Sequence, residues 1–320
     1  MKDYKAFLDY EKLKSVIYDE YEIKVDTIKV IKDYCATVYL LCTTDKKYIF
    51  KLYRAFDTEI AIQSTNIMGY LAKKSFSVAT VINTRHERPN ITLSFPEGDR
   101  IGVLFDYIEG TIGYNLDFNS YAEEMGEKLG LMHNIMDEYD RPLIQYGKEH
   151  YVGRYINMMK EFNYTPSKID ELEAYGNVLW DNIAKSKTGF CHGDMNESNF
   201  IKSSDGKVYI FDFDCAGFAY PINDLFAICC VTESFPCFNI TAFQNPNEKL
   251  PLLKRGYEKY KKLEEYDISA MHSFIGLNCY WMIAQQNKYK SHLEGRQWLD
   301  KNYFDSNYEW LMYWKSQYRR

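Results

Sequence analysis

The sequence predicts an α+β fold in two lobes, a small antiparallel-sheet lobe with one main helix followed by a large, mostly helical lobe. Three observations carry this reading. Residues 25–52 alternate β-branched and aromatic side chains around a polar break (VDTIKVIK, TVYLLC, TTDKK, YIFKLY), the pattern of half-buried strands with a tight turn at Thr44–Lys47. Beyond Gly110 apolar residues recur mostly at helical spacing. One short β-rich island, 200–214, interrupts the helices. The expected lobes are residues 1–107 and 108–320, joined by a short hinge, since no repeat, low-complexity tract or Pro/Ser-rich linker intervenes.

The elements follow in order. After the first strands, residues 57–74 place Ile60, Ile67 and Leu71 on one helical face, with Asp57 or Thr58 able to cap. Strands are expected near 91–95 and 101–108, the second ending in the turn-like Glu109-Gly110. Helices are expected at 120–137, 151–163, 169–185, 222–231, 250–263, 268–287 and 305–317.

A chain of 320 residues, 46% of them apolar, can bury a substantial core. Its formal charge of −6, from 39 basic and 45 acidic residues dispersed along the chain, argues against a surface for phosphate backbones, so no nucleic-acid partner is expected. The charged start MKDYKAFLDYEKLK lacks a signal core, and no stretch reaches the roughly 18 apolar residues of a membrane span. The expected location is therefore cytoplasmic, with no membrane association. Eight cysteines (35, 42, 191, 215, 229, 230, 237, 279) show neither CxxC pairs nor zinc-like Cys/His spacing, and read as reduced packing residues.

The chemistry concentrates in FCHGDMNESNF at 190–200, followed by a hairpin and IFDFD at 210–214. Asp194 and Asn199 lie five apart on one loop, and Ser203-Ser204-Asp205-Gly206 is a good hairpin turn. Pairing Lys202 with Lys207 would return the chain so that Asp212 arrives beside Asn199. An Asn amide oxygen and an Asp carboxylate are hard oxygen donors suited to one side of a magnesium ion, with water and nucleotide phosphates completing its shell. Asp194, near that metal but not needed to bind it, could accept the proton of an attacking hydroxyl.

His-Gly-Asp, four residues, Asn and then Asp-Phe-Asp resembles the aminoglycoside phosphotransferase and choline kinase superfamily, relatives of protein kinases. The run DFDCAGFAYPINDLF at 212–226 resembles a bacterial branch that also includes homoserine kinases, spore-coat kinase homologues and a stress-response protein kinase. The resemblance covers about residues 30–230 and implies a bilobal protein-kinase-like fold. Residues 1–107 would form a nucleotide-binding lobe and 108–320 a catalytic and substrate-binding lobe, with ATP and Mg2+ as cofactors. It further implies that Lys51 in YIFKLYR pairs with the α- and β-phosphates, that Asp224 braces the catalytic loop, and that the Asp106 carbonyl and Ile108 amide meet adenine. His192 would hold the loop through hydrogen bonds. His133, on an apolar helical stretch, reads as a satisfied packing histidine. Asp214 is left open between a water-mediated metal contact, a substrate contact and a loop hydrogen bond.

Two positions depart from the family pattern. Where a glycine-rich phosphate loop would stand, the chain has Asp33-Tyr34-Cys35-Ala36-Thr37 without glycine; phosphate cover is expected from a β-turn with the Thr37 hydroxyl or backbone N–H groups. The helical acid expected to pair with Lys51 falls on Ser64, leaving Glu59 as the candidate partner. Substrate residues are expected from the helices at 151–163 and 268–287. The leading function is ATP- and Mg-dependent transfer to a hydroxyl of a small molecule (amino alcohol, sugar or aminoglycoside-like). A stress-response-type protein serine/threonine kinase and a non-catalytic pseudokinase-like binding or structural protein are the alternatives. Only eleven residues, 213–223, separate Asp212 from Asp224, and no Ala-Pro-Glu motif follows. That leaves little room for a phosphorylated activation loop and favours a small acceptor.

Overall fold

The structure, a computed structural model, describes residues 9–230, 246–289 and 300–317. In chain order the strands are β1 (Thr27–Asp33), β2 (Ala36–Cys42), β3 (Lys47–Tyr53), β4 (Ile91–Phe95), β5 (Gly98–Asp106), β6 (Gly110–Ile112), β7 (Gly189–Cys191), β8 (Phe200–Ser203), β9 (Val208–Ile210) and β10 (Gly217–Ala219). The helices are α1 (Tyr10–Tyr21), α2 (Thr58–Lys73), α3 (Ala122–Met136), α4 (Arg154–Glu161), α5 (Pro166–Ile183), α6 (Ile222–Cys230), α7 (Pro246–Tyr257), α8 (Glu265–Ser269), α9 (Met271–Lys288) and α10 (Lys301–Gln317). They form two compact units: the chain through Gly110 together with Ile201–Asp214, and Thr111–Phe200 together with the chain from Cys215.

The first unit is built on a five-stranded sheet of order β1-β2-β3-β5-β4, antiparallel throughout. Alternation along β3 buries Tyr48, Phe50 and Leu52 and turns Ile49 and Lys51 the other way. The buried set joins Tyr39, Leu41 and Leu104 in a core closed by Leu13, Ile17 and Tyr21 of α1. The charged chain start conceals α1 from a reading of composition. Its signals are the i, i+4 pair Leu13 and Ile17 and the cap at Asp9, whose carboxylate accepts from the Glu11 N–H at 2.8 Å. On α2, Ala61, Ile67, Met68 and Leu71 are buried, and Asp57 stands at the N-cap position without a side-chain cap bond.

The hairpin β8–β9 is attached to the same unit, since Val78 bridges Ile210 in parallel and the Ile210 N–H donates to the Ser77 carbonyl at 3.1 Å. Its register differs from the expected pairing of Lys202 with Lys207. The Ser203 N–H donates to the Lys207 carbonyl, and the Gly206 N–H to the Ser203 carbonyl, both at 2.9 Å. Gly206, at φ +83°, occupies a left-handed bulge position, which makes the loop Ser204-Asp205-Gly206 and shifts the register by one.

In the second unit, Tyr155 of α4 meets Tyr280 of α9 edge-on at 4.8 Å, and the Tyr280 hydroxyl donates to the Leu172 carbonyl of α5 at 2.8 Å. The tyrosines there therefore pack the core. The expected helix 268–287 divides into α8 and α9 at Ala270, α8 beginning with a capping box of Glu264 and Asp267. A π-helical turn, Glu149–Gly153, leads into α4. β7 and β10 pair antiparallel; at three residues each they are too short to show alternation in sequence. No helix among the described residues is long and apolar enough to cross a membrane. Six cysteines (35, 42, 191, 215, 229, 279) are free thiols, whereas Cys237 and the side chain of Cys230 lie outside the described residues.

Leu13 is fully buried between α1 and the sheet. Leu13→Ala is expected to destabilise the protein by about 2–5 kcal/mol, read from the midpoint of urea unfolding. An unchanged midpoint would show that α1 is not part of the core.

Candidate active site

Lys51 lies at the centre of β3, opposite Val38 of β2 and Val103 of β5. Its Nζ is 2.6 Å from Asp212 Oδ1 and 2.7 Å from Asp214 Oδ2, and its side chain is only 12% exposed. The expected partner Glu59 is thereby corrected. That residue is exposed at the start of α2, whereas the hairpin delivers two carboxylates directly to the lysine. The Tyr53 hydroxyl donates to Asp214 Oδ1 at 2.8 Å. Burial opposes the charge on Lys51, yet Asp212 and Asp214 outweigh it and hold its pKa well above the ordinary lysine value. Burial raises the Asp214 pKa against the pull of Lys51. Asp212 itself has a left-handed backbone, φ +65°, a conformation tolerated by aspartate and held only where surrounding structure fixes it.

The turn between β1 and β2 is fixed from beneath by arginines. Arg54 donates from Nε and Nη2 to the Tyr34 carbonyl at 3.2 and 2.8 Å, and from Nη2 to Asp33 Oδ1 at 2.7 Å. Arg100 donates from Nε to the Tyr53 carbonyl at 2.7 Å. The Thr37 hydroxyl is buried among them, donating to Asp33 at 2.9 Å and accepting from Arg54 and Arg100 at 3.4 Å. The hydroxyl expected to cover phosphates is thus committed to the fold, and within the turn the Tyr34 N–H donates to the Ala36 carbonyl at 3.1 Å. Burial, with Asp212 nearby, pushes the Cys35 thiol up to about 12. At the far end of β3, Asp106 stands opposite Tyr48, and the Tyr107 N–H reaches the Lys47 carbonyl at 3.4 Å. The Tyr48–Asp106 pair is therefore of the non-hydrogen-bonded kind. Asp106 turns its peptide groups away from β3, and its N–H donates to the Thr80 carbonyl at 3.0 Å. Ile108 lies two residues further, half-buried.

In the second unit the loop after β7 is held by one buried carboxylate. Asp224 of α6 accepts the His192 N–H at 2.7 Å and the Gly193 N–H at 3.0 Å. The same carboxylate meets His133 Nε2 at 3.0 Å, and His133 Nδ1 meets the Tyr257 hydroxyl at 3.0 Å. His133 is thus a satisfied packing histidine that also fixes the brace. Gly193 has φ +78°, and a Cβ there would lie 2.2 Å from the Cys215 carbonyl oxygen, so only glycine fits. Asp194 follows. Its carboxylate accepts from Asn196 Nδ2 and from Asn199 Nδ2, each at 3.0 Å, and its carbonyl accepts from Asn199 Nδ2 at 2.6 Å. Asn199 thus commits its amide nitrogen to Asp194, while its Oδ1, an oxygen of the hard type that magnesium takes, accepts from the Ser198 hydroxyl at 3.4 Å. Among the described residues no three His, Cys, Asp or Glu side chains gather into a metal cage. A metal here would take few protein ligands and complete its shell with water and phosphate oxygens, as magnesium does.

The model of the phosphotransferase enzyme family matches residues 27–263. The amicoumacin kinase of Bacillus subtilis is 22% identical over 241 residues, 70% of this chain and 68% of that protein. The chain spans about two thirds of the length of the curated relatives it matches. Among solved structures, an amicoumacin kinase in complex with AMP-PNP and Ca2+ superposes with a TM-score of 0.75 at 14% identity, covering 97% of this chain and 94% of that one. A microcompartment-associated aminopropanol kinase gives 0.72 at 18% identity, covering 96% and 94%. These likenesses extend the two-unit, kinase-like fold over nearly the whole chain.

Gly193→Ala tests the fit of the loop before Asp194. The added methyl must displace the Cys215 carbonyl or flip the Gly193 peptide, releasing its N–H from Asp224. Phosphotransferase activity is expected to fall at least about 100-fold, because misplacing a reacting group by about 1 Å costs that much. Activity within a few-fold of the parent would show that the loop geometry is not critical.

Proposed function

Because the chain belongs to the phosphotransferase enzyme family, we propose that it transfers the γ-phosphoryl group of ATP, with Mg2+, to a hydroxyl of a small molecule such as an amino alcohol, sugar or aminoglycoside-like compound. The observation that carries this reading is Asp194, a carboxylate pinned through the backbone by Asp224 and oriented by the Asn199 amide. A carboxylate held on a fixed loop is what a hydroxyl needs to lose its proton as its oxygen attacks phosphorus. In this reading Lys51 meets the α- and β-phosphates, the N–H groups of the β1–β2 turn cover them, and the Asp106 carbonyl and Ile108 N–H hold adenine. Asn199 and Asp212 are the metal ligands; both offer the hard oxygens that magnesium takes, and the ion supplies neutralisation of charge on the phosphates.

A compact acceptor is favoured over a protein. The segment after Asp212 is taken up by the turn Phe213–Cys215, then by β10, paired to β7, and α6 begins at Ile222. No stretch of useful length remains there for a phosphorylated platform. The names of the amicoumacin and aminopropanol kinases point the same way.

Asp194→Asn is expected to lower transfer by about 100- to 10,000-fold while ATP binding persists. Asp212→Ala should abolish the tightening of ATP binding by Mg2+. Calorimetric titration with ATP, with and without Mg2+, and an ATP-consumption screen over amino alcohols, sugars and aminoglycosides measure both. Full turnover by the Asp194 variant, or metal-tightened binding in the Asp212 variant, would overturn the assignment.

A further inference from the structure

Lys51 makes two carboxylate contacts, and only Asp212 is needed as a metal ligand in the proposed reaction, on which this inference rests. Asp214 faces the lysine with both of its oxygens engaged. Lys51 Nζ meets Asp214 Oδ2 at 2.7 Å, and Tyr53 donates to Asp214 Oδ1 at 2.8 Å. Tyr53 and Ser64 are buried, and Lys51 Nζ also lies 4.8 Å from the Tyr53 ring centroid. Both Asp214 oxygens are therefore engaged by protein groups, one by a cation and one by a buried donor. Asp212, by contrast, sits on a left-handed backbone with the more exposed carboxylate, 25% against 16%.

We propose that Asp214, held by Tyr53, is the permanent acidic partner that positions Lys51 for the nucleotide phosphates, in place of an acid on α2. When Asp212 turns to a metal ion, a lysine this buried would otherwise lose its whole counter-charge. Asp214 keeps it charged and aimed. Ser64 occupies the position where a helical glutamate would stand, and it is buried. The ion pair has thus moved from the helix to the hairpin, where the Tyr53 phenol donates to Asp214. Asp214 is a positioning residue in this account, neither a metal ligand nor a substrate contact.

The test is a double-mutant cycle on ATP affinity in the full-length protein at saturating Mg2+, with a Mg2+ titration of each variant. Lys51→Met weakens ATP binding if the proposed function holds; no effect there overturns the phosphate role of Lys51 itself. Asp214→Asn is expected to weaken ATP binding about 10- to 100-fold, the value of a hydrogen bond to a charged group, with the half-saturating Mg2+ concentration unchanged. Tyr53→Phe, which removes one oxygen and keeps the ring, should give a smaller loss in the same direction and guards against misfolding of the Asp214 variant. Added to Lys51→Met, neither substitution should cost anything further. A wild-type affinity in both Asp214→Asn and Tyr53→Phe overturns the proposal while leaving the function standing. So does a raised Mg2+ requirement with losses additive to Lys51→Met, which would make Asp214 a metal ligand.

Discussion

A lysine buried in the middle of an antiparallel sheet needs a counter-charge, and much of the first unit is arranged to supply it. Taking one ammonium out of water costs several kcal/mol, recovered only with close partners and satisfied hydrogen bonds. Here Asp212 is 161 residues away in sequence, with Asp214 just beyond it, so β3 and the β8–β9 hairpin must belong to one unit despite the distance. The parallel bridge of Val78 to Ile210 and the left-handed Asp212 are what that requirement looks like in the backbone. Removing Lys51 would leave both carboxylates without their cation, a loss that for buried pairs costs about 3–5 kcal/mol.

The second unit solves a related problem with the opposite sign. Asp224 is buried and takes two backbone N–H bonds and a histidine, and so satisfies a carboxylate with dipoles. Fixing the peptides on either side of His192 places the backbone that leads into Asp194. The carboxylate of Asp194 in turn accepts from Asn196 and Asn199. The same asparagine pairing explains why an amide and not a second acid stands at 199, since a carboxylate there would repel Asp194 and could not donate to it.

Local features of this architecture were legible in the sequence. The alternation on β3 aims Lys51 away from Phe50 and Leu52, and the spacing of Asp194 and Asn199 marks one loop, because strand period and loop length act over a few residues. The partner of Lys51 was not legible, as helix register placed the expected acid on Ser64 and left Glu59 as a substitute, while the carboxylates come from a distant turn. Thr37 misled for a similar reason. Its place in a turn suggested a free hydroxyl, but Arg54, just after β3, and Arg100 of β5 reach it, and long side chains leave no periodic trace. α1 was hidden by its charges, although two apolar residues four apart sufficed to close the core. The register of the β8–β9 hairpin turned on one glycine adopting a left-handed conformation.

The contribution of Ile201–Asp214 to the first unit has a bearing on how the chain is made. A ribosome that has released residues through Gly110 has exposed every strand of the five-stranded sheet but neither carboxylate for its central lysine. The nascent sheet must either keep Lys51 hydrated or stay loosely closed until about a hundred more residues have emerged, at roughly 5–20 residues per second. Completion of the first unit is thus tied to synthesis of the second, and the chain cannot finish the surroundings of Lys51 before it has built the loop that carries Asp194.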